Sequence, residues 1–233
     1  MLAAGAEAMV EAAFRNGRFD SAEVLLRAAL ARAREDGDRS TEVGALNRLG
    51  MLTHFRALER GSGEADADAE EALFQQALAV RRDIEDLAGI AESLFGIGLV
   101  HQVLRHDWGA AMPYFRQAMA LADEHGDDLT RSLVHRHVGF FYLIEDVQPE
   151  KAVHHLRISL DLRERLGDLR WIPSGTLALG QAELVAGMNF EAVHHLRLAL
   201  AQIRQAGLRG HSAEEEAEEW LRRAESGHAP TSP

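Results

Sequence analysis

The sequence predicts an all-α protein made of repeated helix pairs, and two landmarks carry this prediction. The first is a glycine that follows a large apolar residue, and it recurs at intervals of 48, 41 and 41 residues at Gly50, Gly98, Gly139 and Gly180. The second is a small residue, a large apolar residue four positions later and a small residue three positions after that: Ala22/Leu26/Ala29, Ala111/Phe115/Ala118, Ala152/Leu156/Ser159 and Ala192/Leu196/Ala199, with a weaker Glu70/Phe74/Ala77. No stretch alternates apolar and polar residues long enough to indicate a strand.

The spacing within the second landmark places its three residues on one face of a helix. Small residues on that face let a neighbouring helix approach closely, and the glycine of the first landmark removes a Cβ from between the two backbones. We therefore expect one domain over residues 1–226, with helix pairs at 3–36, 40–84, 88–125, 130–165 and 171–206, a capping helix at 212–225 and a disordered tail at 227–233.

The turns between pairs are marked by glycine–aspartate pairs at Gly37-Asp38, Gly126-Asp127 and Gly167-Asp168. Glycine is favoured at the left-handed position that ends a helix, and the aspartate after it is suited to cap the next helix. The acidic segment 59–71 lengthens the second pair, and its Gly61, Ser62 and Gly63 predict a flexible loop.

Composition excludes several classes of protein. The 233-residue chain has no cysteine, which excludes disulfides, thiolate nucleophiles and cysteine-based zinc or iron–sulfur sites. A formal net charge of −12 disfavours direct nucleic-acid binding. No apolar run approaches the ~20 residues of a membrane span, so we expect no membrane contact and a cytoplasmic location. Lys151 is the single lysine among many arginines, which is typical of a GC-rich, bacterial genome.

The landmarks resemble the tetratricopeptide repeat (TPR) family in its longer form of about 40 to 42 residues, known from kinesin light chains and from bacterial regulators. The resemblance covers about residues 5–206 and rests on Leu49-Gly50, Ile97-Gly98, Val138-Gly139 and Leu179-Gly180, together with the small–large–small sets. It implies a right-handed α-α superhelix, a solenoid of about five helix pairs and a capping helix. The first helices would line a concave groove that binds a peptide or a partner helix and carries no catalysis.

The resemblance also assigns the groove lining, which is mostly apolar: Asn47, Met51, His54, Phe95, Leu99, Gln102, Arg136, Phe140, Leu143, Leu177 and Gln181. The lysine and asparagine clamp of chaperone-binding members is missing, so we expect an apolar helix or extended segment as the ligand. Its register would be fixed by the few polar lining residues, Asn47, Gln102, Arg136 and Gln181. Truncating Phe95 or Phe140 is expected to weaken binding without unfolding the chain. Alternatively, these residues belong to internal packing or are covered by a second copy of the chain.

Twelve histidines offer a different interpretation. His154-His155 and His194-His195 recur at equivalent repeat positions, where imidazoles of adjacent helices have the chemistry for a metal site. Zinc needs three or four converging ligands, and no spacing here enforces them. Repetition explains the recurrence, so we predict neither metal nor cofactor. His101 and His135 fall where core aromatic residues usually sit and are expected to pack there.

No phosphate-binding loop, dinucleotide fingerprint or nucleophile elbow is present in the sequence. The sequence therefore predicts a non-enzymatic protein-interaction scaffold or regulatory adaptor with a protein or peptide partner. Two alternatives stay open at this stage. One is a self-associating homodimer. The other is a small-ligand or metal sensor, or an enzyme, that uses the histidines and acidic residues of the groove.

Overall fold

The computed structural model describes residues 19–60, 64–167, 171–205 and 211–226, and within these ranges every regular element is a helix. The α-helices of this part of the chain are α1 (Phe19–Asp36), α2 (Arg39–Arg60), α3 (Glu64–Asp83), α4 (Leu87–Leu99), α5 (Trp108–His125), α6 (Asp128–Phe140), α7 (Pro149–Leu166), α8 (Ile172–Val185), α9 (Asn189–Gln205) and α10 (His211–Glu225). The helix expected near residues 3–16 and the expected tail 227–233 lie outside the described residues.

Contacts divide the chain into two compact units, an N-terminal unit up to Gly126 and a C-terminal unit from Asp127. In the N-terminal unit α2 packs against α3 and α4 against α5, while α1 packs on α2 and α3 on α4. In the C-terminal unit the pairs are α6 with α7 and α8 with α9, α7 also packs on α8, and α10 packs on α9. Each described first helix therefore packs against the second helix that follows it.

The landmark glycines lie where two paired helices touch. A Cβ added to any of them would come within 2.6 to 2.8 Å of the large side chain of the second landmark, which is closer than real Cβ contacts. The four contacts join Gly50 to Phe74, Gly98 to Phe115, Gly139 to Leu156 and Gly180 to Leu196. The expected role of these glycines as the points of helix contact is confirmed.

The turns between pairs follow the expectation in part. Gly37 and Gly167 end their helices with φ of +69° and +66°, in the left-handed region. Gly126 instead has an extended backbone with φ of −80°, so its predicted left-handed conformation is wrong. Capping by the aspartate is confirmed at Asp38 and Asp127, whose carboxylates accept hydrogen bonds from the backbone N–H three residues later at 3.0 and 2.7 Å.

Two first helices end in a π-helical turn that the sequence pattern does not predict. The turns are Val100–Leu104 after α4 and Phe141–Glu145 after α6, at equivalent positions of successive repeats. Backbone hydrogen bonds between residues five positions apart close these turns, one from Arg105 N–H to Val100 O and one from Asp146 N–H to Phe141 O.

The extra length of the second pair is mostly helical. α2 runs to Arg60 and α3 begins at Glu64, so the flexible loop predicted across residues 59–71 is wrong for most of that segment. Its glutamate and alanine residues have high helix propensity and favour helix over the described part of this segment. Residues 61–63 lie outside the described residues.

One helical segment, Leu87–Leu104, is long and apolar enough to cross a membrane by length and composition. The expectation that no apolar run approaches this length fails for the segment, which carries a single carboxylate at Glu92. Most of its residues are buried inside the N-terminal unit, and core helices of soluble proteins commonly have this composition. The segment is therefore weak support for membrane insertion.

Phe115 provides a stability test of the paired-helix contact. Its side chain is fully buried and lies against Gly98 and the ring of Phe95. We expect Phe115→Ala to lower the free energy of unfolding by about 3–5 kcal/mol, because the truncation leaves a cavity where no Cβ fills the space. Urea denaturation measures the change, with Val24→Ala as the control because Val24 is 69% exposed. If both variants lost the same free energy of unfolding, Phe115 would not be part of the paired-helix contact.

Candidate interaction surface

The predicted groove residues of α2 lie mostly inside the N-terminal unit. Asn47 and His54 are only 3% and 4% exposed, whereas Met51 is half-buried. Asn47 Oδ1 accepts a hydrogen bond from Ser93 Oγ at 3.3 Å, which ties α2 to α4. His54 Nδ1 lies 3.1 Å from Glu70 Oε1 on α3. Of the three predicted lining residues on this helix, Met51 alone offers surface to a ligand.

The predicted groove residues on α4 and on the π-helical turn after it are also mostly buried. Phe95 and Leu99 on α4 are buried, and the ring centroid of Phe95 lies 5.8 Å from that of Phe115. Gln102, in the π-helical turn after α4, is half-buried. Because this ring is part of the core, truncating Phe95 is expected to lower stability, which differs from the expectation based on the sequence.

In the C-terminal unit Arg136 and Phe140 are half-buried, and Leu143 is buried in the core cluster. The guanidinium carbon of Arg136 lies 4.6 Å from the centroid of the Phe140 ring, a cation–π contact. Arg136 Nη1 also donates a hydrogen bond to the carbonyl oxygen of Ser174 at 3.0 Å. Arg136 thus ties α6 to α8 and keeps one face of its side chain on Phe140.

The predicted residues on α8 are both buried. Leu177 belongs to the core shared with α9, and Gln181 Nε2 donates to Glu216 Oε1 on α10 at 2.7 Å. Across the described chain, seven of the eleven predicted lining residues are internal packing, namely Asn47, His54, Phe95, Leu99, Leu143, Leu177 and Gln181. The four that retain surface are Met51, Gln102, Arg136 and Phe140.

Apolar side chains beside these four also reach the surface. We use the name first-helix surface for the half-buried or exposed apolar residues of the first helices and their π-helical turns: Met51, Phe55 and Val103 in the N-terminal unit, and Phe140, Ile144 and Val185 in the C-terminal unit. In the C-terminal unit Phe140 and Val185 rest on the same core cluster. Ile144, one helical turn after Phe140, is 49% exposed.

A second layer of contacts lies between the helices of each pair, three positions after the landmark glycine. His101 stacks on Tyr114 with ring centroids 5.4 Å apart, and Tyr142 stacks on His155 at 5.7 Å. At the same position of the next pair, Glu183 Oε2 lies 2.6 Å from His195 Nδ1. Paired positions that hold stacked rings in two repeats therefore hold a hydrogen-bonded carboxylate and imidazole in the third.

The histidines are used in this packing. His135 is buried, with its Nδ1 2.9 Å from Nδ1 of His155, so one ring donates to the other. In each recurring pair one imidazole faces inward, His155 or His195, and its neighbour, His154 or His194, is exposed. No three His, Asp or Glu side chains of the described residues are placed to hold a metal ion.

Two fully buried carboxylates were missed by the sequence reasoning. Glu183 is held by His195 and by Arg157 Nη2 at 2.9 Å. Among the described residues, Glu70 bonds to His54 alone, and its Oε2 has no hydrogen-bond partner there. Burial raises the pKa of Glu70, and the hydrogen bond to His54 opposes the rise. The signal for both was a carboxylate at a landmark position that holds a small or aromatic residue in other repeats.

The sequence matches no family model, and no curated protein is significantly similar to it. Solved structures nevertheless share the fold. The crystal structure of BtubC (BKLC) from P. vanneervenii has a TM-score of 0.56 and 18% identity, and the match covers 95% of this chain and 78% of that one.

Two crystal structures of a protein assigned as a kinesin light chain from Podosopora anserina, with nearly identical TPR-like repeats, give TM-scores of 0.58, for a form with one substitution, and 0.57. Both are 16% identical to this chain, and the matches cover 85% of it and 87% of theirs. The all-α repeat prediction is confirmed, and the fold is that of TPR-like repeats.

The buried pair of Glu70 and His54 predicts a pH dependence. A carboxyl whose pKa is raised by folding favours the folded state while protonated, and this contribution is lost as the pH rises above 4.5 and through the folded pKa. We therefore expect the stability of the wild type relative to Glu70→Gln to fall as the pH is raised. The change should be about 1.4 kcal/mol for each unit by which folding raises the pKa.

Urea unfolding of both proteins from weakly acidic to weakly alkaline pH measures this difference. The background of His54→Gln separates the titration of the imidazole from that of the carboxyl. The trend should persist in that background, because burial, the main cause of the raised pKa, is unchanged. A stability difference that stays constant with pH would contradict the prediction.

Proposed function

We propose that this protein is a non-enzymatic interaction scaffold or adaptor that holds an apolar segment of a partner protein against the first-helix surface of its C-terminal unit. The TPR-like fold supports the general role of a scaffold. The proposal adds the place and the chemistry of binding, and it assigns the ligand to a helix or an extended segment with a row of apolar side chains.

The observation that carries the proposal is the pair Phe140 and Ile144. These two large apolar side chains lie one helical turn apart on a first helix and its π-helical turn, and both keep surface in the C-terminal unit. The second helix α7, by contrast, presents charged and polar side chains to solvent, among them Glu150, His154 and Arg157. Single exposed apolar residues also occur on second helices, such as Phe190 and Leu198 on α9. Phe140 and Ile144 differ from them in lying one turn apart, and adjacent apolar surface of this kind is typical of a docking site.

Affinity would come from burying these apolar side chains, and orientation from the polar groups beside them. In the C-terminal unit Arg136 retains surface for that purpose, as Gln102 does in the N-terminal unit taken by itself. Asn47 and Gln181, which the sequence assigned to the same role, are buried and bonded to Ser93 and Glu216 inside their units. The register of the partner therefore depends on fewer groups than the sequence predicted.

Substitution of the first-helix surface tests the proposal. Affinity capture from the source organism, followed by mass spectrometry, supplies a partner whose Kd is then measured for purified variants. We expect Ile144→Asp to raise the Kd at least about tenfold, the equivalent of ~1.4 kcal/mol, because it places a charge in an apolar contact. Phe140→Ala should weaken binding as well, with a modest loss of stability from the cavity beside Leu143.

The matched control is Leu198→Asp, which puts the same charge on an exposed apolar position of the second helix α9. Its Kd should equal that of the wild type. Weakening by Leu198→Asp with normal binding by Ile144→Asp would move the interaction to the second helices. Light scattering at several concentrations tests self-association, and a dimer dissociated by Ile144→Asp would identify the partner as a second copy of the chain.

A further inference from the structure

Each unit contains a buried arginine at the same position of the repeat. Arg81 on α3 and Arg163 on α7 are 5% and 2% exposed, and both follow the last small residue of the second landmark by four positions. Each guanidinium donates from Nη1 to a backbone carbonyl of equivalent position, Gly89 O for Arg81 and Trp171 O for Arg163. The two arginines thus fill the same place in their units, next to the start of the following first helix.

In the N-terminal unit this buried charge is compensated. Arg81 Nη2 is bonded to Glu92 Oε2, its Nε lies 3.5 Å from Asp86 Oδ2, and its Nη1 donates to Ser93 Oγ at 2.8 Å. Asp86 also caps α4 by accepting from the Gly89 N–H at 2.9 Å. Both carboxylates therefore hold the arginine and the start of the next helix together.

In the C-terminal unit the described residues do not provide this compensation. Asp168, which occupies the position of Asp86, lies outside the described residues. The position of Glu92 is taken by Ser174, whose Oγ accepts from Arg163 Nη1 at 3.2 Å. Among the described residues no carboxylate forms a salt bridge with Arg163, and its buried Nε has no hydrogen-bond partner. Its guanidinium carbon lies 5.5 Å from the centroid of the Trp171 ring, a cation–π contact.

A second arginine converges on the same serine. Arg136 Nη1 donates to Ser174 O, and within the described chain this guanidinium also lacks a salt bridge. The start of α8 adds to the positive potential, because Trp171 at its N-cap position makes no side-chain cap. The nearest compensating charge for Arg136 is Glu216, which is engaged by Gln181.

Leaving buried charges without a counter-ion is costly. Burial lowers the pKa of Arg163 to about 10, and burial together with repulsion from Arg163 lowers that of Arg136 to about 9. Both groups are still cationic at neutral pH. Two desolvated guanidinium groups and an uncapped helix start therefore meet at Ser174 with no described carboxylate between them.

We propose that Arg136, Arg163 and Ser174 form a binding site for an oxyanion, a carboxylate or a phosphate group. Guanidinium donors match the geometry of such groups in a charge-assisted pair. The anion enters beside Arg136 and Ser174, which are half-buried, and takes the role that Glu92 has beside Arg81. This site goes beyond the proposed function, and its test requires no partner protein.

The test compares the melting temperature of the full chain in sodium phosphate and in sodium chloride at equal pH and ionic strength. The wild type should melt at a higher temperature in phosphate. Ser174→Glu restores the carboxylate found in the other unit, so it should raise the melting temperature in chloride and abolish the gain from phosphate. Arg163→Met should abolish the gain too. Arg197 is an exposed arginine of the same unit and is paired with Glu225. The control variant Arg197→Met should therefore keep the gain from phosphate, which corrects for general salt effects.

The source of the oxyanion is separated by a second titration, in which calorimetry compares phosphate with an acetylated tri-glutamate amide. Tighter binding of the peptide identifies a protein-borne carboxylate, and tighter binding of phosphate identifies a phosphate group. In Ser174→Glu the affinity for whichever probe binds more tightly should fall at least tenfold. Equal phosphate responses in all variants, or no binding of either probe, would overturn the proposal. So would a response that appears only in Asp168→Asn, since the chain would then supply its own carboxylate.

Discussion

The whole structure depends on a close contact between paired helices, in which a glycine of the first helix meets a large side chain of the second. Phe74 shows how far this contact reaches. Its ring occupies the place of a Cβ at Gly50, within its own pair, and again at Gly96, in the next pair. A single ring therefore sets both the spacing inside a pair and the spacing between pairs. Because both backbones lie against it, the side chain can neither grow nor shrink without moving two helices.

Once this contact is fixed, the neighbouring positions of the two helices must face each other. That geometry explains why unlike residues occur three positions after the landmark glycine. His101 meets Tyr114, Tyr142 meets His155 and Glu183 meets His195, so each residue is matched by the one across from it. Compared with the equivalent residues of other repeats alone, a carboxylate at Glu183 is unexpected. Its hydrogen bond to His195 explains it, because a buried polar group needs a partner.

The sequence predicted the helices and their points of contact, because helical spacing and glycine report on backbone geometry directly. It did not predict which groove residues keep surface. The family resemblance assigns both Asn47 and Met51 to the groove, but the neighbouring helix α4 covers Asn47 through Ser93 and leaves Met51 half-buried. The π-helical turns were equally hidden, since the apolar spacing of Val100–Leu104 fits an ordinary helix. Burial by a neighbour and hydrogen-bond shifts depend on tertiary packing rather than on local pattern.

The buried arginines show what such a framework tolerates. Position 81 in one unit and position 163 in the other are held by the same helix contacts, and those contacts are made by glycine and large apolar side chains. A carboxylate at the position of Glu92 can therefore be replaced by Ser174 without loss of the fold, because the ion pair does not set the helix spacing. The replacement leaves a cation in a fixed, desolvated place. In a repeat protein, divergence between equivalent units thus converts a structural ion pair into half of a binding site, while the unchanged packing keeps that half in position.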